Sequence, residues 1–143
     1  LFGRRGRKDP LEEINLLELA PVRLADWFQD EEGGVTLVRP RPRSKGLKRL
    51  SDLLGYYSSP KRVRLDAVGS LAWKHLDGRP TVAEIARKVR DEFEEEAEPA
   101  EERVGLFVRL LRGEGMVAYP GWDDLPEREA VEVEPAAVEA RNE

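Results

Sequence analysis

The stretch Asp66-Ala-Val-Gly-Ser-Leu-Ala-Trp-Lys-His-Leu-Asp-Gly78, followed by Arg79-Pro-Thr-Val-Ala-Glu-Ile-Ala86, decides how this chain folds. Asp66 is suited to an N-cap, Val68, Leu71, Ala72 and Leu76 recur at helical spacing, and Gly78 tolerates the left-handed backbone that ends a helix. Thr81-Val-Ala-Glu84 then matches a capping box: the Thr hydroxyl accepts from an early helical amide and the Glu carboxylate accepts from the Thr amide. Behind it Val82, Ile85, Ala86, Val89 and Phe93 form one apolar face. A third helix follows the acidic run 94–98. Pro99 reads as a first-turn residue, Glu101 and Glu102 favour the positive end of the helix dipole, and Val104, Phe107, Val108 and Leu111 form a stripe that Leu106 and Leu110 widen. Gly113 and Gly115 end it near Arg112, before a brief extended segment at Met116–Tyr119.

Working toward the N-terminus, Lys61-Arg-Val-Arg-Leu65 alternates as a strand. Val22 to Gln29 and Val35 to Arg39 read as two more, joined as a hairpin by Asp30-Glu-Glu-Gly-Gly34. In the second of these the alternation is weak, which predicts cover on both faces. Pro40 and Pro42 stop that strand because proline cannot donate to a ladder. The connection 42–60 carries a short helix with Leu47, Leu50 and Leu54 on one face and Leu53 beside them. The predicted fold is α+β and winged-helix-like, a three-stranded antiparallel sheet followed by a three-helix bundle.

Residues 1–20 form a charged arm opening on Arg4, Arg5, Arg7 and Lys8, residues 21–120 the domain, and 121–143 an acidic tail. From Asp123 onward eight acids stand against two bases with little large apolar content, a composition that predicts disorder. Charge is unevenly placed: residues 1–65 hold 14 Lys+Arg and 9 Asp+Glu, and residues 66–143 hold 10 and 20.

The inventory for catalysis is thin. The 143 residues include no cysteine and one histidine, His75, which removes thiolate metal sites, disulfides and cysteine nucleophiles. A lone His on a helix reads as a surface or boundary residue, and the acids fall in runs that solvate rather than as isolated carboxylates on apolar ground. Gly3-Arg-Arg-Gly6 lacks the Lys-Ser/Thr and the flanking strand of a phosphate loop. No catalytic residue, cofactor or metal is expected. No apolar run approaches the roughly 20 residues that span a bilayer, and the start lacks a signal-peptide core, so a cytoplasmic protein with no membrane partner is expected.

Two binding readings share the predicted shape. As a DNA-binding regulator the chain would put its third helix in the major groove. Glu101 and Glu102 would then meet phosphate, and Gly121-Trp-Asp-Asp124 stands where a basic wing belongs, so nucleic acid is disfavoured. As a peptide binder it would offer the edge of strand 61–65 beside the third helix, where a peptide adds as a further strand. Arg62 and Arg64 on the outward face suit an acidic peptide or simply solvate the strand.

Val63-Arg-Leu-Asp-Ala-Val-Gly-Ser-Leu-Ala-Trp73, Leu76-Asp-Gly-Arg-Pro-Thr-Val-Ala-Glu-Ile85, Phe93, Glu98-Pro-Ala-Glu-Glu-Arg-Val104, Phe107 and Leu111-Arg-Gly-Glu-Gly-Met-Val117 together resemble the PqqD family, the pyrroloquinoline quinone synthesis protein D group. The similarity runs in order over residues 15–119, with Asn15 to Arg23 resembling the family's lead-in, and is strongest over 62–118. The resemblance implies a non-catalytic module that binds the leader of a ribosomally made precursor peptide and presents it to a modifying enzyme, often a radical S-adenosylmethionine enzyme. Carried over by position, it implies a peptide site of Arg62, Val63, Arg64 and Leu65 with Val104, Phe107, Val108 and Leu111 lining or backing the groove. The long connection 42–60 and the acidic tail depart from the family pattern.

Overall fold

The computed structural model describes residues 15–40, 46–58 and 61–136. The basic cluster Arg4–Lys8, Pro42 and the last residues of the acidic tail, 137–143, lie outside the described residues. Chain order is a 3-10 turn at Leu16–Glu18, β1 (Val22–Arg23), β2 (Trp27–Gln29), β3 (Val35–Val38), α1 (Leu47–Ser58), β4 (Arg62–Arg64), α2 (Ala67–Lys74), α3 (Val82–Phe93), a 3-10 turn at Glu94–Ala97, α4 (Ala100–Gly113) and β5 (Val117–Ala118). The architecture is α+β, a three-stranded antiparallel sheet in the order β2-β3-β4 followed by the helices α2, α3 and α4.

The helix signals act as the sequence predicts. Asp66 accepts from the Gly69 amide at 2.7 Å and opens α2. At the head of α3 the Glu84 amide donates to the Thr81 hydroxyl at 3.2 Å and the Thr81 amide to the Glu84 carboxylate at 3.0 Å. The end of α2 is corrected: the helix stops at Lys74 with His75 as its C-cap, so Leu76 lies beyond it and Gly78, with φ +83°, serves the turn that follows rather than the helix end. Pro99 falls one position earlier than expected, at the N-cap of α4 rather than in its first turn.

The predicted strand over Val22–Gln29 is divided between two sheets. β1 leaves the main sheet to pair with β5, Val22 opposite Ala118 and Arg23 opposite Val117, while β2 pairs with β3 through Trp27 opposite Leu37. The break falls at buried Ala25 and Asp26. The Asp26 carboxylate accepts from Arg128 at 2.9 Å and from the Val131 amide at 3.0 Å, and its carbonyl from the Val38 amide at 2.8 Å. A buried polar residue that needs these partners turns the chain out of one ladder and into the next.

The core lies between the sheet and the helices. Val35 and Leu37 from β3 meet Trp73 and Leu76, Ile85 and Val89 from α3, and Val104 and Val108 from α4, all buried. Thr36 and Val38 are half-buried, as the weak alternation of β3 predicts. Buried Ser70 fastens α2 to the sheet: its hydroxyl accepts from the Val35 amide at 2.9 Å and donates to the Leu65 carbonyl at 3.4 Å.

The tail departs from its predicted disorder over 121–136. Arg112 donates twice to Asp123, at 2.8 and 2.7 Å, and the Tyr119 amide donates to the same carboxylate. Further on, the chain lies parallel to β2, with the Trp27 amide donating to the Val131 carbonyl at 3.2 Å and the Val133 amide to the Trp27 carbonyl at 2.7 Å. Composition misses this strap because ion pairs and backbone bonds to two aspartates hold it, not an apolar face.

Candidate functional site

The strap changes which sheet edge is open. β2 is covered at Trp27 by residues 131–133, whereas no described strand pairs with the outer side of β4. Pairing within β4 fixes what that side presents. The Leu65 amide donates to the Val35 carbonyl at 2.9 Å and the Arg39 amide to the Lys61 carbonyl at 2.7 Å, so residues 61, 63 and 65 bond toward β3. In an antiparallel ladder the alternate residues face outward, which leaves the amides and carbonyls of Arg62 and Arg64 on the open edge.

The two arginine side chains are exposed but not equivalent. Arg64 donates to Asp30 at 2.9 Å and is tied to the hairpin turn, whereas Arg62 has no hydrogen bond or ion pair among the described residues. The turn itself is tightly built: the Glu32 and Gly34 amides both donate to Asp30, and a side chain at Gly34 would meet that carboxylate at 2.7 Å. The Gly34 amide first, then the Glu32 amide and the Arg64 charge, hold the Asp30 carboxyl below its usual range.

Beside this edge, α2 and α4 diverge around a groove of about 250 Å³ lined by Asp66, Val68, Gly69, Ala72, Arg103, Val104, Leu106, Phe107 and Leu110. Gly69 sets its floor. A β-carbon there would lie 3.3 Å from the Phe107 ring and 3.1 Å from the Asp66 carboxylate, so only glycine lets the ring settle against the first turn of α2 without displacing either. The Asp66 carboxylate is committed to capping α2, and Arg103 donates to the Glu96 carbonyl at 2.5 Å. The groove is therefore mostly apolar in its walls, with Asp66 next to β4 and Arg103 on α4, and Arg62 and Arg64 lie outside its lining on the strand edge; it suits a strand-forming segment with one large apolar side chain.

Of the residues the family resemblance points to, the structure brings Arg62, Val63, Arg64 and Leu65 onto or next to the open edge, and puts Val104 and Phe107 in the groove wall. Val63 and Leu65 are half-buried against the core. Val108 and Leu111 are not in the lining: they face the core behind it. The expectation that Leu106 and Leu110 widen the core stripe is corrected, because both are exposed and line the groove. The signal was present in the sequence. An apolar arc running through 104, 106, 107, 108, 110 and 111 is wider than one interface needs, and the second face, 103, 106, 107 and 110, recurs at helical spacing. Val68 and Gly69 carry no such signal, since each is ordinary in a helix.

His75 stands at the C-cap of α2, half-buried, with burial and the nearby Lys88 charge holding its imidazole below the usual range. His75 is not in the groove lining, whose charged residues are Asp66 and Arg103.

Among the described residues, the β4 edge flanked by an apolar interhelical groove has the geometry on which an extended chain can add as a further strand. Residues 55–117, from the end of α1 to the first residue of β5, match the family described as Coenzyme PQQ synthesis protein D (PqqD). No curated protein and no solved structure matches the chain. The matched stretch contains β4, α2 and α4, hence the whole groove, and excludes the β2–β3 hairpin and the strap.

Proposed function

We propose that this chain is a non-catalytic peptide-binding module: it takes the leader of a ribosomally made precursor peptide as an added strand on β4 and presents it to a modifying enzyme, such as a radical S-adenosylmethionine enzyme. The family description points to coenzyme PQQ synthesis or a related peptide-modification pathway. The observation that carries the reading is the juxtaposition of the outward amides and carbonyls of Arg62 and Arg64 with the groove between α2 and α4. Backbone bonds to β4 supply affinity, an apolar residue of the leader enters between Phe107, Leu106 and Leu110, and Arg62 draws a leader carboxylate. The protein contributes capture and orientation, and the bond chemistry belongs to the partner enzyme.

The test is an amide NMR titration with a synthetic leader peptide, duplex DNA serving as the parallel sample. Shifts confined to residues 61–69 and 103–110 are the expected result. Shifts with DNA alone, centred on α4, would make the chain a regulator and sink the proposal.

A further inference from the structure

Outside the groove, the described residues present a second apolar stripe on α1. α1 carries Leu47, Leu50 and Leu54 on a single stripe, and these are 89%, 62% and 67% exposed. Three exposed leucines at i, i+3 and i+7 form the anchor pattern of a helix that seats against another amphipathic segment. The surrounding sequence says what kind. Residues 39–64 hold nine Lys and Arg and one acid, Asp52, a net charge of +8 in a chain whose total is −5, so the rest carries −13. α1 therefore sits in the basic part of an otherwise acidic protein.

We propose that α1 is a second compartment of the peptide site, occupied by an acidic amphipathic segment of the same peptide that pairs with β4. The inference rests on the reading of β4 as the docking edge. Ser58, the last residue of α1, and Lys61, next to β4, are three peptide bonds apart, about 11 Å at most. A peptide leaving the Arg62 end of the edge thus reaches α1 without a long excursion. Charge selects against a second copy and for an acidic partner. A second copy would bring one +8 segment against another, at a cost. Lys48 and Ser51 border one side of the stripe and Leu53 the other, and vesicle binding separates an anionic membrane from a peptide as its occupant. Joining a strand contact and a helix contact in one ligand makes the second binding event intramolecular, so affinity rises without enlarging either contact.

The experiment is selection of a random 24-residue peptide library on the immobilised full chain, and in parallel on a chain carrying Leu47→Glu, Leu50→Glu and Leu54→Glu. The wild-type consensus is expected to contain two blocks, a strand block with carboxylates and one apolar anchor, and a block of leucines at i, i+3 and i+7 among acids. The triple variant is expected to retain the first block and lose the second. In fluorescence anisotropy, the selected two-block peptide should bind about tenfold or more tighter than its first block alone, and the variant should erase that gain. Retention of the strand block shows that the variant folds. A consensus holding only the strand block overturns this inference and leaves the reading of β4 intact, whereas no enrichment on either chain overturns both. Binding to phosphatidylcholine–phosphatidylglycerol vesicles that the triple variant abolishes would give the stripe to lipid, and a dimer that the variant dissolves would give it to a second copy. Either overturns the proposal.

Discussion

Arg62 and Phe107 separate the two contributions a peptide would feel. Arg62 touches no described charged partner, so Arg62→Glu reverses a charge at the open edge without breaking a contact of the fold. Its expected effect is a loss of about tenfold or more in leader affinity with an unchanged urea midpoint, read by isothermal titration and circular dichroism. Arg64→Glu is less clean because it also sets a carboxylate against Asp30. Phe107 lies half in the core and half in the groove, so Phe107→Ala should cost less stability than the 3–5 kcal/mol or so typical of a fully buried ring, while removing much of the peptide affinity. Trp73→Ala provides the contrast: the ring is fully buried and outside the groove, and its loss should cost about 3–5 kcal/mol. Equal destabilisation by the two substitutions in urea titrations would mean that Phe107 serves packing and not the ligand.

At the level of elements, the helices carry their own boundaries. The reciprocal bonds between Thr81 and Glu84 make the head of α3 a self-contained start signal, and Thr81→Ala should cost about 1 kcal/mol in urea unfolding with peptide binding unchanged. Signals of this type are local in sequence, which is why α2, α3 and α4 could be read from it, as could the hairpin turn with its Asp30 and glycines. The division of Val22–Gln29 could not, because it depends on Asp26 meeting Arg128 and Val131, more than a hundred residues along the chain. The candidate site was legible by half. Strand alternation and the family resemblance point to the β4 edge, but the split of α4 into a core face and a groove face depends on where α2 crosses it. Leu106 and Leu110 were consequently read into the core.

The molecule as a whole is closed by its strap. Asp26 is 8% exposed, and its carboxylate bonds to two groups of the tail, Arg128 and the Val131 amide. A chain ending at Asp124 should therefore unfold at lower urea with its helical circular dichroism intact, since an under-partnered buried carboxylate is costly. No change in midpoint would show that the strap adds nothing to the fold. The anchor nearer the domain is pH-sensitive. The Arg112 guanidinium, and after it the Tyr119 amide, hold the Asp123 carboxyl below its usual value of 3.8. Because the folded value is depressed, this stability is present in full above the unfolded value and is lost as pH falls through the folded one. Acid should thus loosen the turn at 119–123, and Asp123→Asn should remove that part of the acid dependence. Near-ultraviolet circular dichroism of Trp122 between pH 6 and pH 2 reads both.

The open edge of β4 also bears on self-association. If two copies met antiparallel along that edge, Arg62 and Arg64 of one would lie across from the same arginines of the other, and like charges opposed across a ladder repel. The feature that makes the edge attractive to a carboxylate-bearing strand thus makes it repellent to itself. An edge carrying such a pair of like charges is in this way protected from polymerising through its own copies while it stays open to a strand of opposite charge.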